Sequence, residues 1–222
     1  MSDTHQQTGA QKLALVTGAS RGLGAALAEG LAARGYHILA VARTVGGLEE
    51  LDDRIRAAGG SATLAPMDVA EAPAMQQMVQ AMAERWGGLD LWAHCAIHAA
   101  PLSPVPHIDG KDWSKSVLVN LEVTRGLIAL LEPLLIARQG TALFFEDARG
   151  GAKFFGAYGA TKSAQIALAR SWQAEAERIG PRIVIDSPAP MPTALRARFF
   201  PGEDRGALTP CKAEAERILA AL

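Results

Sequence analysis

Tyr158 stands four residues before Lys162 in AYGATKSA, and these residue types at this spacing can do proton chemistry. On a helix, positions i and i+4 share a face, so an ammonium can lie beside the phenol. A nearby cation favours phenolate and brings the tyrosine toward neutral titration, as general acid–base work requires. Far upstream, Thr17-Gly18-Ala19-Ser20-Arg21-Gly22-Leu23-Gly24 follows an apolar run. A glycine-rich turn from strand into helix lets the backbone approach a pyrophosphate, and the helix start offers free N–H groups and partial positive charge. Alone, the pair reads as an interfacial tyrosine and a solvated lysine. Together with the loop it reads as a reaction centre beside a nucleotide.

Those residues need elements to hold them. KLALVTG is a first strand, and Leu23 to Ala33 is a helix with Leu23, Leu27 and Leu31 on one stripe, ending at Gly35. HILAVA, SATLAPMDV, LDLWAHC, TALFFE and RIVID read as further strands. Helical segments separate them: LEELDDRIRAAGG, Ala74–Trp86, Asp112–Ile136 as one long helix interrupted late by Pro133, Tyr158–Ile179, and finally Pro210–Leu222. Unbroken apolar strands alternating with helices specify a parallel sheet covered on both faces. The expectation is an α/β fold, a doubly wound three-layer α/β/α sandwich with six strands. Residues 1–11 form a flexible polar tail, and 12–222 one domain.

Bulk properties narrow the function. The chain has 222 residues, 49% hydrophobic and 20% charged, with a formal net charge of -1. That balance offers no charge-driven partnership with nucleic acid or an anionic membrane. Cys95 and Cys211 are too few for a disulfide framework, and no Cys/His spacing suggests a metal. The start, MSDTHQQTGAQ, has no apolar h-region, and GLIALL is cut short by Glu132 and Pro133. No signal peptide or membrane span is expected, and the default compartment is the cytoplasm.

The spacing TGxxxGxG with a later YxxxK resembles the short-chain dehydrogenase/reductase family, over about the whole stretch Lys12–Thr193. The resemblance implies a Rossmann-like fold and hydride transfer between a nicotinamide and a small carbonyl/alcohol pair. It gives Tyr158 the proton exchange with the substrate oxygen and Lys162 the nicotinamide ribose. Asn120, in VLVNLEV, would continue the proton relay from the lysine. Coenzyme contacts would come from Thr17, Gly18, Ser20, Arg21, Gly22, Leu23 and Gly24, and from Asp68, Val69, Ala96, Tyr158, Lys162, Pro188 and Thr193. A helix N-cap is the competing role for Asp68. Where NAD-preferring members carry an acidic residue after the second strand, this chain has Arg43. With Arg21, it favours a 2'-phosphate and hence NADP(H), NAD(H) staying open, because arginine binds phosphate through bidentate charged bonds.

The departures from the family pattern are as informative. Members carry a serine a little over ten residues before the tyrosine, and here Glu146 or Asp147 falls at that place. An ionised carboxylate cannot donate to a carbonyl, and losing such a donor costs about 10²–10³ in turnover. Aimed at the phenol from about 4 Å, at an effective dielectric near 20, it would cost about 4 kcal/mol, some three pKa units upward. Three outcomes are open: a protonated carboxyl that donates, a carboxylate turned toward Arg149 or Lys153, or a silent site that still binds coenzyme. The Asn-Asn-Ala-Gly motif is replaced by His94-Cys95-Ala96-Ile97, where His94 reads as structural, Cys95 as a small buried hydrophobe and Ile97 as crowding the nicotinamide side. Ala189 replaces a glycine after Pro188. A seventh strand is missing, so a homodimer packed through the long helices is expected rather than a tetramer. Met191, Phe199, Phe200 and Pro201–Asp204 form the expected lid over the substrate.

Overall fold

The computed structural model describes residues 11–222, so the expected tail, except Gln11, lies outside the described residues. Six strands form one parallel sheet: β1 (Leu13–Thr17), β2 (His37–Ala42), β3 (Ser61–Pro66), β4 (Leu91–His94), β5 (Thr141–Phe145) and β6 (Arg182–Asp186). Their spatial order is β3-β2-β1-β4-β5-β6. The chain winds outward from β1 to β3, returns, and winds outward again from β4 to β6. The direction of winding reverses between β1 and β4, and a crevice opens beyond their carboxyl ends, where doubly wound sheets bind ligands. This is the fold the alternation of elements implied, with six strands and no seventh among the described residues.

Burial explains the apolar strands. Leu13 and Leu15 face one core with Met75 and Met82 of α3 (Ala72–Trp86), Leu127 and Leu131 of α5 (Val123–Arg138), and Ile166 and Trp172 of α6 (Gly156–Glu175). Ala14 and Val16 face the other, with Leu27 and Leu31 of α1 (Gly22–Ala33), Leu48 and Leu51 of α2 (Val45–Ala57), and Ile218 and Leu219 of α8 (Cys211–Ala220). Side chains alternate across a strand, so both faces must be apolar when both are covered.

The single helix expected over Asp112–Ile136 is not one helix. It divides into α4 (Gly110–Val117), a π-helical turn at Leu118–Glu122, and α5. Such turns shift the helix register by one residue, and here the shifted residues include Asn120, which is fully buried. Pro133 lies within α5 without ending it. Within the expected lid, a short helix, α7 (Ala194–Phe199), carries Phe199, and Pro201–Asp204 follow it as a loop.

Candidate active site

The crevice begins at the glycine loop. Gly18 has a positive φ of 77°, and a Cβ there would lie 2.7 Å from the Cys95 carbonyl carbon, so only glycine lets β1 turn against the end of β4. Gly24 lies so close that a Cβ would strike the Gly18 carbonyl oxygen. Helix α1 therefore starts hard against the loop, and no side chain caps it at Arg21. Its first N–H groups point into the crevice as an anion cradle. On the far side, a Cβ on Gly22 would come 3.3 Å from Thr193 Cγ2, so the glycine lets the loop and Thr193 approach closely. A glycine-rich turn that leads into a helix start with no side-chain cap fits the pyrophosphate of a dinucleotide. Ser20 meets the start of α2, where a Cβ on Gly47 would lie 2.8 Å from the Ser20 carbonyl.

Arg21 is exposed, and Arg43 is 58% exposed with its guanidinium 3.7 Å from Asp68. Asp68 does not cap a helix. Glu71 holds the N-cap position of α3, while Asp68 accepts from the Ala70 N–H at 3.0 Å and shapes the preceding turn. Val69 packs against the core edge, and Ala96 is half-buried beside the loop. Thr193 is the N-cap of α7, accepting from the Arg196 N–H at 3.2 Å. Pro188 precedes Ala189, whose N–H donates to Glu214 at 2.9 Å, so α8 fixes the backbone on this side of the crevice.

Tyr158 and Lys162 lie on the first turns of α6, buried to 4% and 6% exposure. The phenol donates to Asp147 Oδ2 at 2.8 Å. Glu146 does not reach it. Its backbone N–H extends the β5 ladder to Asp186, and its side chain pairs with Arg170 at 2.9 Å and accepts from Ser187. Asp147 Oδ1 lies 3.6 Å from Arg149, whereas Lys153 stacks on Phe154 and takes no part. The Tyr158 pKa is pushed up strongly, by burial first and then by the Asp147 carboxylate, with Arg149 opposing. This reverses the lowering expected from a tyrosine–lysine pair. The aspartate sits nearer the phenol than any cation does.

Lys162 donates to Gln165 Oε1 at 2.7 Å, and burial lowers its pKa to about 8 against the pull of Asp147, Cys95 and Glu146. Asn120 does not touch the lysine. Its side chain accepts from the His98 N–H at 2.7 Å and donates to the His98 carbonyl and to Thr161 Oγ1. Between them stands Gln165, 1% exposed, a residue the motifs do not flag. The clue was available: Gln165 shares a helix face with Ile166, Ala169 and Trp172, and a polar group in a buried stripe needs partners. His94 is 2% exposed and bonded at both ring nitrogens, to Thr17 at 2.8 Å and Thr124 at 3.0 Å. Burial drops its pKa to about 3 and raises that of Cys95 to about 12, so both are structural, unreactive groups.

Above Tyr158 lies an apolar roof. Phe199 sits 4.9 Å from the phenol ring and Phe155 6.4 Å, centroid to centroid. Ile97 packs into the same cluster. Phe200 lies between the guanidinium groups of Arg149 and Arg196, and Arg196 grips Glu203 through two 2.6 Å bonds. Met191 is half-buried just ahead of α7.

The reversal of winding, the glycine cradle and the Tyr158–Lys162 pair define a dinucleotide-binding oxidoreductase fold. The chain belongs to the short-chain dehydrogenase/reductase family, whose profile, described as short chain dehydrogenase, matches residues 12–204. It is 30% identical over 176 residues to an uncharacterised oxidoreductase of Listeria innocua, covering 78% of this chain and 70% of that protein. It is 29% identical over 187 residues to the glycine betaine reductase of Emericella nidulans, covering 83% of this chain but only 15% of that much longer protein. A short-chain dehydrogenase structure from Pseudomonas syringae superposes with a TM-score of 0.86 at 27% identity, covering 91% of this chain and 85% of that one. One from Shigella flexneri, solved with NADP, gives 0.82 at 26%, covering 90% and 86%. No helix of the described residues is long and apolar enough to cross a membrane, and no group of three or more His, Cys, Asp or Glu among them could hold a metal ion.

Proposed function

We propose that the protein is an NADP(H)-dependent reductase or dehydrogenase of a small carbonyl/alcohol pair, acting in the cytoplasm as a homodimer. What supports the reading is that the uncapped start of α1 and the Tyr158–Lys162 pair both follow the carboxyl ends of sheet strands, α1 after β1 and α6 after β5. Cys95 joins them: it touches the glycine loop on one side and feels the Lys162 charge on the other. Bound there, the nicotinamide would supply or take the hydride. Gly18, Ser20, Gly22, Leu23 and Gly24 would cradle the pyrophosphate, with the buried Thr17 behind them holding its hydroxyl on His94, and Arg21 and Arg43 would hold the 2'-phosphate, Arg43 leaving Asp68 to do so. Val69, Ala96, Pro188 and Thr193 would contact the rest of the coenzyme, and Lys162 would offer its remaining ammonium hydrogens to the ribose. The Shigella neighbour's NADP supports that choice.

Tyr158 gives its proton to the substrate oxygen. To do so it must let go of Asp147, and the carboxylate then turns to Arg149, already 3.6 Å away. Turnover is slow because that exchange precedes each proton transfer. Phe155, Phe199 and Ile97 give the substrate an apolar enclosure. A second reading, a coenzyme-binding protein with no turnover, is favoured by the Tyr158–Asp147 bond itself. Fluorescence titration with NADPH and NADH, followed by NADPH oxidation against ketones, diketones and quinones, separates them. Tighter NADPH binding with turnover that Tyr158→Phe abolishes supports the enzyme. Binding without turnover selects the second reading, and NADH bound more tightly removes the roles of Arg21 and Arg43.

A further inference from the structure

Behind Lys162 a continuous hydrogen-bonded chain runs through the protein to the glycine loop. Lys162 Nζ donates to Gln165 Oε1 at 2.7 Å. Gln165 Nε2 donates to Thr124 Oγ1 at 2.9 Å and to the Asn120 carbonyl at 3.1 Å. The Thr124 hydroxyl has one hydrogen, which goes to the Asn120 carbonyl at 3.0 Å, so the contact with His94 at 3.0 Å must be donated by His94 Nε2. That assigns the neutral tautomer with Nδ1 free to accept, and the Thr17 hydroxyl supplies that bond at 2.8 Å. Gln165, Thr124, His94 and Thr17 are each almost wholly buried.

Each bond in this chain has its direction fixed by the one before it, and the first is fixed by the lysine. A flipped glutamine would set its NH₂ against the ammonium, donor against donor, and would leave Thr124 with two acceptors facing each other. The π turn at Leu118–Glu122 contributes a second constraint, because it brings the Asn120 carbonyl to face Gln165 as well as Thr124. A buried ammonium with no partner is costly, and Gln165 Oε1 is the one hydrogen-bond acceptor of the Lys162 ammonium among the described residues.

We propose that Gln165 is a positioning residue that holds the Lys162 ammonium in place and ties it, through Thr124 and His94, to Thr17 of the glycine loop. The inference rests on the proposed function for its meaning, since Lys162 matters there, but the arrangement exists without coenzyme. Groups facing Lys162 are Asp147 and Glu146 after β5, Cys95 and His94 at β4, and Tyr158 on its own helix. Against that constant background, a change at position 165 has a definite sign. Removing the acceptor in Gln165→Leu disfavours the charged lysine, and a carboxylate in Gln165→Glu favours it.

Side-chain NMR of isotope-labelled lysine reads this directly in the protein without coenzyme, with Lys162 assigned by its loss in Lys162→Met. The Lys162 midpoint, about 8 in the unchanged protein, is expected to fall by about one unit in Gln165→Leu and to rise by about one to two in Gln165→Glu. A merely space-filling glutamine would give shifts of the same sign or none, and that result overturns the proposal. Should neither variant fold, the wild-type Gln165 side-chain amide resonances decide: they must move with the Lys162 midpoint, and their indifference to it also overturns the proposal. Failure to bind NADPH would sink the proposed function and leave this result standing.

Discussion

The Tyr158 hydroxyl donates to Asp147 Oδ2 at 2.8 Å, so the phenolic hydrogen is already engaged in a bond to a carboxylate. Burial and this aspartate together raise the tyrosine's pKa, and Arg149 is the cation that opposes them. On the proposed function, the Tyr158 phenol is thereby held in a resting arrangement by Asp147.

Neutralising that residue should release the phenol. In Asp147→Asn the tyrosinate absorbance of Tyr158 is expected to develop at lower pH than in the wild type. Only two tyrosines are present, and Tyr36→Phe removes the other signal. An unchanged alkaline titration would show that burial alone sets the value.

Lys162 is kept at a cost. Its pKa is lowered from 10.5 to about 8, so below 8 the folded protein carries a charge that the unfolded chain holds more easily. The penalty is fully present below 8 and fades as pH rises toward 10.5. Lys162→Met should therefore stabilise the coenzyme-free protein at neutral pH by about 1–3 kcal/mol, somewhat offset by the acceptor left on Gln165. Urea unfolding measures it, and a destabilised variant would count against the burial argument.

His94 should make the fold acid-sensitive. Its folded pKa lies near 3 against 6.5 unfolded, so the unfolded chain binds the extra proton first. Stability is whole above 6.5 and is lost as pH falls toward 3, at up to about 1.4 kcal/mol per pH unit. His94→Asn should flatten that slope, as seen in urea unfolding midpoints measured across the range. An equally steep slope in the variant would place the acid sensitivity elsewhere.

Tyr158 is 4% exposed, so on the proposed function the roof over it opens to admit a substrate. Arg196→Gln breaks the paired bonds to Glu203 and one of the two cation contacts on Phe200. Trypsin should then cut at Arg198 or Arg205 several-fold faster with little change in the global unfolding midpoint. An unchanged cutting rate would mean that Arg196 and Glu203 do not hold α7 down.

Much of this was readable in the sequence, because the fold rests on local patterns. Apolar runs between amphipathic helices specify a covered parallel sheet, and glycines at 18 and 24 mark a turn where backbones approach closely. What was not readable depends on single-residue register. Whether Glu146 or Asp147 meets the phenol turns on where β5 stops pairing, and Glu146 still pairs with Asp186. The π turn leaves no mark in an unbroken apolar helix, yet it decides that Asn120 faces His98 and Thr161. Gln165 stands out in the sequence only as a polar residue in a buried stripe, and its partners Thr124 and the Asn120 carbonyl come from a distant segment.

Turnover of Asp147→Ser, measured beside the wild type with NADPH and the carbonyl that reacts best, tests the central claim most directly. A hydroxyl at 147 should free the phenol and give the substrate oxygen a donor, raising kcat by about tenfold or more with NADPH affinity retained. Retained affinity with kcat unchanged or lower would contradict the claim that this carboxylate restrains the reaction centre.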